Sequence, residues 1–254
     1  MNLTVSLLPF EATVACMAQF QSEASSAFFQ ESLYYFYPQF DRERMARLDP
    51  PGRTAYLRDT LSQVHRELLP QLRDKAETYQ RQWDQHRAVI QTAFEDLFAR
   101  KLDGVLDDMS ARVSLNPICP RYLADHSFDL CYLNSPPGAL GLSLHEIVHF
   151  LWFQLWQEHF HDDPREYENP HLKWVLSEMV VDLFLSDPRL RPLNPYLADG
   201  TGTIYEYFHT MTIGGRPALE RMAGLYRPGD PVRLMEQGYA LCLEHEAELR
   251  RAMG

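Results

Sequence analysis

His145, Glu146 and His149 spell HExxH inside the run "LSLHEIVHFLWFQLW" (Leu142 to Trp156), where most other residues are apolar. On a helix, residues four apart share one face at about 6 Å, so two imidazoles at that spacing can chelate one metal ion. Glu146 is turned about 100° from His145. That sets its carboxylate beside the ion, where it can take a proton from an activated water without being a ligand. The chemistry implied is zinc-assisted hydrolysis, with His145 and His149 as ligands and Glu146 as general base. The plain alternative is a core helix whose histidines hydrogen-bond to neighbours. Leu144, Val148, Leu151 and Leu155 form one apolar stripe, widened by Ile147, Phe150 and Phe153, so the helix reads as buried nearly all round. Burial makes two histidines and a glutamate costly without a partner, and a cation would be that partner.

A catalytic zinc takes three protein ligands plus water. The metzincin continuation needs Gly at position 152 and His at 155; the chain has Trp152 and Leu155, which excludes that class. Downstream, "KWVLSEMVVDLFL" carries two acids, Glu178 and Asp182, in an otherwise apolar helix. They are four apart and share a face. Two unpartnered carboxylates facing a core would be unfavourable. The difficulty goes if one ligates zinc and the other holds a ligand histidine by its remaining N–H. Glu168, 18 intervening residues after His149, is a rival third ligand, but Pro164 and Pro170 around it argue for a loop. His159, His161 and His171 lie in or beside the same polar stretch and read as solvated.

HExxH followed by a second helix bearing ExxxD resembles the gluzincin (thermolysin-like) group of zinc metallopeptidases, over residues 145–182 only. The resemblance implies a zincin-like core, zinc held by His145, His149 and Glu178, Glu146 as base, and Asp182 orienting a zinc histidine. It also implies a Tyr or His beyond the third ligand that donates to the developing oxyanion. "TIYEYFHTM" offers Tyr205, Tyr207 and His209, which alternate by two and would share a face on a strand. Phe128, Asp129, Leu130, Cys131 and Tyr132, in "FDLCYLN" upstream of the HExxH helix, occupy the place of an edge strand that would pair with an extended peptide substrate. A zinc-containing regulatory or binding protein that cleaves nothing is the competing function, because fold does not settle activity.

The elements that must position these residues are mostly helical. Leu3 to Leu8 reads as a strand, Glu11 to Gln39 as helix, and Thr54 to Leu102 as helix interrupted at Pro70. Tyr79, Trp83, Ile90, Phe94 and Leu97 fall on one stripe of that segment. "RVSLNPICP" and "SFDLCYLN" read as two strands of a small sheet. A helix of about 20 residues ending near His161 follows, then a polar loop, a helix from Trp174 to Leu185, a loop with strand character over 199–217, and helix from Asp230. The class expected is α+β, mostly helical, with a small mixed sheet packed on the HExxH helix and a second Glu-bearing helix. Residues 1–110 would be scaffold and 111–254 the metal-site part of one compact unit.

Whole-chain properties narrow the partners. A net charge of −11 over 254 residues argues against a nucleic-acid partner. No apolar run reaches the roughly 18–20 residues of a membrane span. "MNLTVSLLPFEATVACMA" lacks a basic start and is interrupted by Pro9 and Glu11, unlike a signal peptide. Cys16, Cys119, Cys131 and Cys242 form no CxxC pair, which disfavours cysteine-ligated zinc and fits a cytoplasmic protein. "DGTGT" lacks the GK[ST] of a phosphate loop.

Overall fold

A computed structural model describes residues 1–22, 25–198, 200, 202 and 204–253. It is mostly helical with one small mixed sheet, and its contacts divide the chain into two units. One comprises residues 2–85 and 106–139, the other residue 1, 86–105 and 140–254. The chain passes between the units at 85/86, 105/106 and 139/140.

The first unit holds β1 (Leu3–Leu7), α1 (Phe10–Phe20), α2 (Ala27–Phe36), α3 (Arg42–Arg47) and the larger part of α4 (Pro50–Leu97), followed by β2 (Met109–Ser114), β3 (Arg121–Tyr122) and β4 (Ser127–Cys131). The sheet order is β1-β2-β4-β3, with β1, β2 and β4 parallel and β3 antiparallel to β4. Gln80 of α4 occupies the outer edge of β1: its amide accepts from Val5 N at 2.7 Å and donates to Leu3 O at 3.1 Å. That satisfies backbone groups an edge strand leaves open. The helix expected over Glu11–Gln39 is instead two. α2 stops at Phe36, just before Tyr37–Pro38, because the residue preceding a proline is driven out of the α region.

α4 is the larger correction. It runs unbroken through Pro70, where an interruption was expected. Pro70 lies on the exposed face, where water can take the carbonyl that the ring leaves without its N–H. In the same unit Leu57, Leu61, Leu72, Ala76, Tyr79 and Trp83 are buried on either side of the proline, and that apolar stripe holds the helix together.

The second unit holds the end of α4, most of α5 (Pro136–Phe160), α6 (Leu172–Leu185), α7 (Pro195–Ala198), α8 (Glu206–Thr210), a hairpin of β5 (Thr212–Ile213) and β6 (Arg216–Pro217), α9 (Ala218–Leu225), α10 (Pro231–Glu244) and α11 (Glu246–Met253). α5 starts where Ser135 Oγ accepts from Gly138 N at 3.1 Å, with Pro136 preset for the first helical position. In α6 every residue except Asp182 and Leu183 is buried. Gly238 lets α10 approach α6: a Cβ there would lie 2.9 Å from Leu176 Cδ1. Phe184 of α6 stacks on Phe98 with ring centroids 4.7 Å apart, tying α6 to the chain that follows α4. Among the described residues no helix is long and apolar enough to cross a membrane.

Candidate metal centre

α5 presents His145 and His149 one turn apart, and their Nε2 atoms face each other at 3.0 Å. The Glu178 carboxylate of α6 closes the triangle, with Oε1 3.3 Å from His149 Nε2 and Oε2 3.6 Å from His145 Nε2. A tetrahedral centre with bonds of about 2.0–2.1 Å separates its ligand atoms by about 3.3 Å. The three observed separations bracket that value. His149 is fully buried, His145 is 6% exposed and Glu178 3%. Two Nε2 atoms this close share one proton or one cation, and Glu178 adds negative charge at the same point. Two imidazoles and a carboxylate form a donor set suited to zinc.

Glu146 is half-buried, and one donor atom of each of His145, Glu146 and His149 lies within 4.8 Å of the other two. Its carboxylate therefore stands beside the imidazole pair, as a turn of about 100° from His145 requires. The His149 ring stacks on Phe153 (6.2 Å, 13°), and Phe153 stacks on Tyr167 (4.5 Å, 16°).

Trp174, Glu178 and Asp182 line one face of α6 at four-residue intervals, and Gly202, Tyr205 and Phe208 lie against it. Trp174 meets Tyr205 at 5.9 Å and Phe208 at 6.1 Å. Burial, and then the nearby Glu178 charge, push the Tyr207 phenol well above its ordinary value, which keeps it a protonated donor. Asp182 is half-buried, and its Oδ2 would be 2.6 Å from a Cβ built on Gly202, which has φ +72°. The His209 ring lies against the same point, its Cε1 3.6 Å away, and His209 is exposed.

Two expectations about residues assigned to this centre change. Tyr205, Tyr207 and His209 do not share a strand face, because 206–210 is the short helix α8 and Tyr205 caps it. Asp199, Thr201 and Thr203 of the "DGTGT" stretch lie outside the described residues. The segment Phe128–Tyr132 is not an edge: β4 runs parallel to β2 on one side, and β3 pairs with its start on the other. Asp129 N donates to Pro120 O at 3.0 Å and Cys131 N to Cys119 Sγ at 3.3 Å. Asp129 also pairs with Arg112 at 2.8 Å, which gives that buried carboxylate a packing role within the sheet. Glu168 is exposed at the end of a 3-10 turn, His161 and His171 are exposed, and His159 pairs with Glu236 at 3.0 Å. None of these four enters the described His145–His149–Glu178 cluster.

Sequence reasoning missed Lys173, which is 4% exposed although it opens an apolar helix. Its Nζ lies 2.5 Å from both Asp162 Oδ2 and Glu166 Oε2, in what read as a plain polar loop. The rule that singled out Glu178, a charge inside an apolar run needing a partner, would have found it.

No protein-family model, curated protein or solved structure matches the chain.

Proposed function

We propose that the chain is a zinc-dependent hydrolase, and specifically a metallopeptidase acting on peptides or proteins. One observation carries the reading: the convergence of His145 Nε2, His149 Nε2 and the Glu178 carboxylate on one buried point at 3.0–3.6 Å. These three residues would hold the ion. Zinc bound there would supply a Lewis acid that polarises a water and the scissile carbonyl. Glu146 takes the water's proton as its oxygen attacks the carbonyl carbon, then passes that proton to the leaving nitrogen as the C–N bond breaks. Tyr207, held protonated, donates to the oxyanion that develops on the former carbonyl oxygen. The zincin-like core of this proposal rests on α5 and α6. A cytoplasmic setting is proposed on four cysteines joined by no disulfide, with no nucleic-acid partner given the charge of −11.

A zinc-containing binding or regulatory protein is the second reading, favoured by how deeply the three donors are buried. Elemental analysis and a peptide-mixture digest read by mass spectrometry separate the two. The hydrolase should carry about one zinc per chain, cleave peptides, lose cleavage but keep zinc on Glu146→Gln, and lose the metal on His149→Ala. Full zinc with no cleavage by the wild type favours the second reading. A chain that takes up no zinc overturns both.

A further inference from the structure

The chain between α5 and α6 is pinned by a network around the buried Lys173 and Tyr167 that leads back to a metal-site histidine. Lys173 Nζ bridges Asp162 and Glu166, each at 2.5 Å, and lies 5.9 Å from the Tyr239 ring centroid. Asp162 also accepts from Trp156 Nε1 of α5 at 3.0 Å and from the Tyr167 hydroxyl at 2.9 Å. The same hydroxyl lies 2.8 Å from Gln157 Oε1, again on α5. Tyr167 then stacks on Phe153, and Phe153 on His149. An unbroken line of contacts thus runs from Lys173, five residues before Glu178 on α6, through Asp162, Tyr167 and Phe153 to the ring of His149.

We infer that Lys173 is a positioning residue for the metal centre: through Asp162 and the Tyr167–Phe153 stack it fixes His149 against Glu178, and so sets metal affinity. This rests on the metal reading above. Three features favour positioning over plain loop closure. Lys173 is 96% buried, where a cation is kept only by its partners. Asp162 receives donors from both helices that carry the ligands, Trp156 on α5 and Lys173 on α6. The stacked rings end on a ligand, so a shift of the loop becomes a rotation of the His149 imidazole. In the same loop, Arg165 and Asp163 pair at the surface, with Arg165 89% exposed, and make no such connection.

The test measures Zn²⁺ affinity by chelator competition, at a temperature where each variant keeps the wild-type far-UV circular dichroism. Lys173→Met, which keeps the stem and removes the charge, should weaken Zn²⁺ binding about ten-fold or more, the usual scale for outer partners of metal ligands. Tyr167→Phe keeps the ring stack and loses the anchor, and should weaken binding less. Arg165→Ala should leave affinity unchanged. The visible absorption of the Co²⁺ form should shift in Lys173→Met, a signature that lost loop stability alone would not produce. If Lys173→Met does not fold, Tyr167→Phe decides. Wild-type-like affinity and Co²⁺ spectrum in the folded variants overturn the positioning role and leave the metal site standing. A wild type that binds no Zn²⁺ overturns both.

Discussion

Glu146 and Glu178 stand beside one pair of imidazoles and Asp182 lies one turn beyond Glu178 on α6, and the three acids have different surroundings. Glu178 is buried against both Nε2 atoms, whereas Glu146 and Asp182 are half-buried. The clustering of His145, His149 and Glu178 was legible from sequence because a charge in an apolar helix must find a partner, and helix spacing names the face. The local structure around Tyr205, Tyr207 and His209 was not legible. "TIYEYFHTM" alternates like a strand yet forms a five-residue helix, since period-two patterning cannot separate the two over so short a run. Gly202 was unread for a related reason: its role is a missing side chain. It takes φ +72°, and any Cβ there would sit 2.6 Å from the Asp182 carboxylate. Gly202→Ala should therefore cost about 1–2 kcal/mol for the left-handed backbone alone, plus the displacement of Asp182. Urea unfolding measures the cost, and an unchanged midpoint would refute the close approach.

At the scale of elements, helices were readable wherever apolar residues recurred every three or four positions, and their ends less so. Pro70 would have broken α4 had propensity ruled, but burial of Leu57, Leu61, Leu72 and Tyr79 around it outweighs one lost hydrogen bond. The junction of α5 and α6 depends instead on charge, which makes it sensitive to pH. Burial raises the Asp162 carboxyl, but hydrogen bonds from Lys173, Trp156 and Tyr167 outweigh that and hold it below its ordinary range. Burial lowers Lys173, but its bonds to Asp162 and Glu166 raise it overall. A depressed carboxyl stabilises the fold above its unfolded value of about 3.9, and that contribution is lost as pH falls through the lower folded value. A raised ammonium stabilises below about 10.4, and its contribution is lost as pH rises through the higher folded value. The stability difference between wild type and Lys173→Met, from urea unfolding, should be flat from about pH 5 to 9 and shrink outside those limits on this linkage. A difference that stays constant down to pH 3 would mean the junction is held by packing.

The whole molecule was the least legible scale. β1 and β2 pair in parallel register, Leu3 opposite Met109, with α1 to α4 intervening, and nothing in the local sequence announces that pairing. The two units are each assembled from separate stretches of chain. The division bears on what zinc should do. His145, Glu146, His149, Glu178, Lys173 and Asp162 all belong to the unit built from 86–105 and 140–254. A ligand that binds only the folded state stabilises it by RT ln(1 + [L]/Kd), about 2.7 kcal/mol at a hundred-fold excess over Kd. If each unit opens separately, that gain belongs to the unit holding the site. Hydrogen exchange with and without Zn²⁺ should then show slower exchange in α5, α6 and α10, and little change in β1, β2 and β4. A uniform slowing across both sets would mean that the two units open as one cooperative body, with the long helices α4 and α5, each of which crosses from one unit to the other, transmitting the zinc-linked stability along the chain.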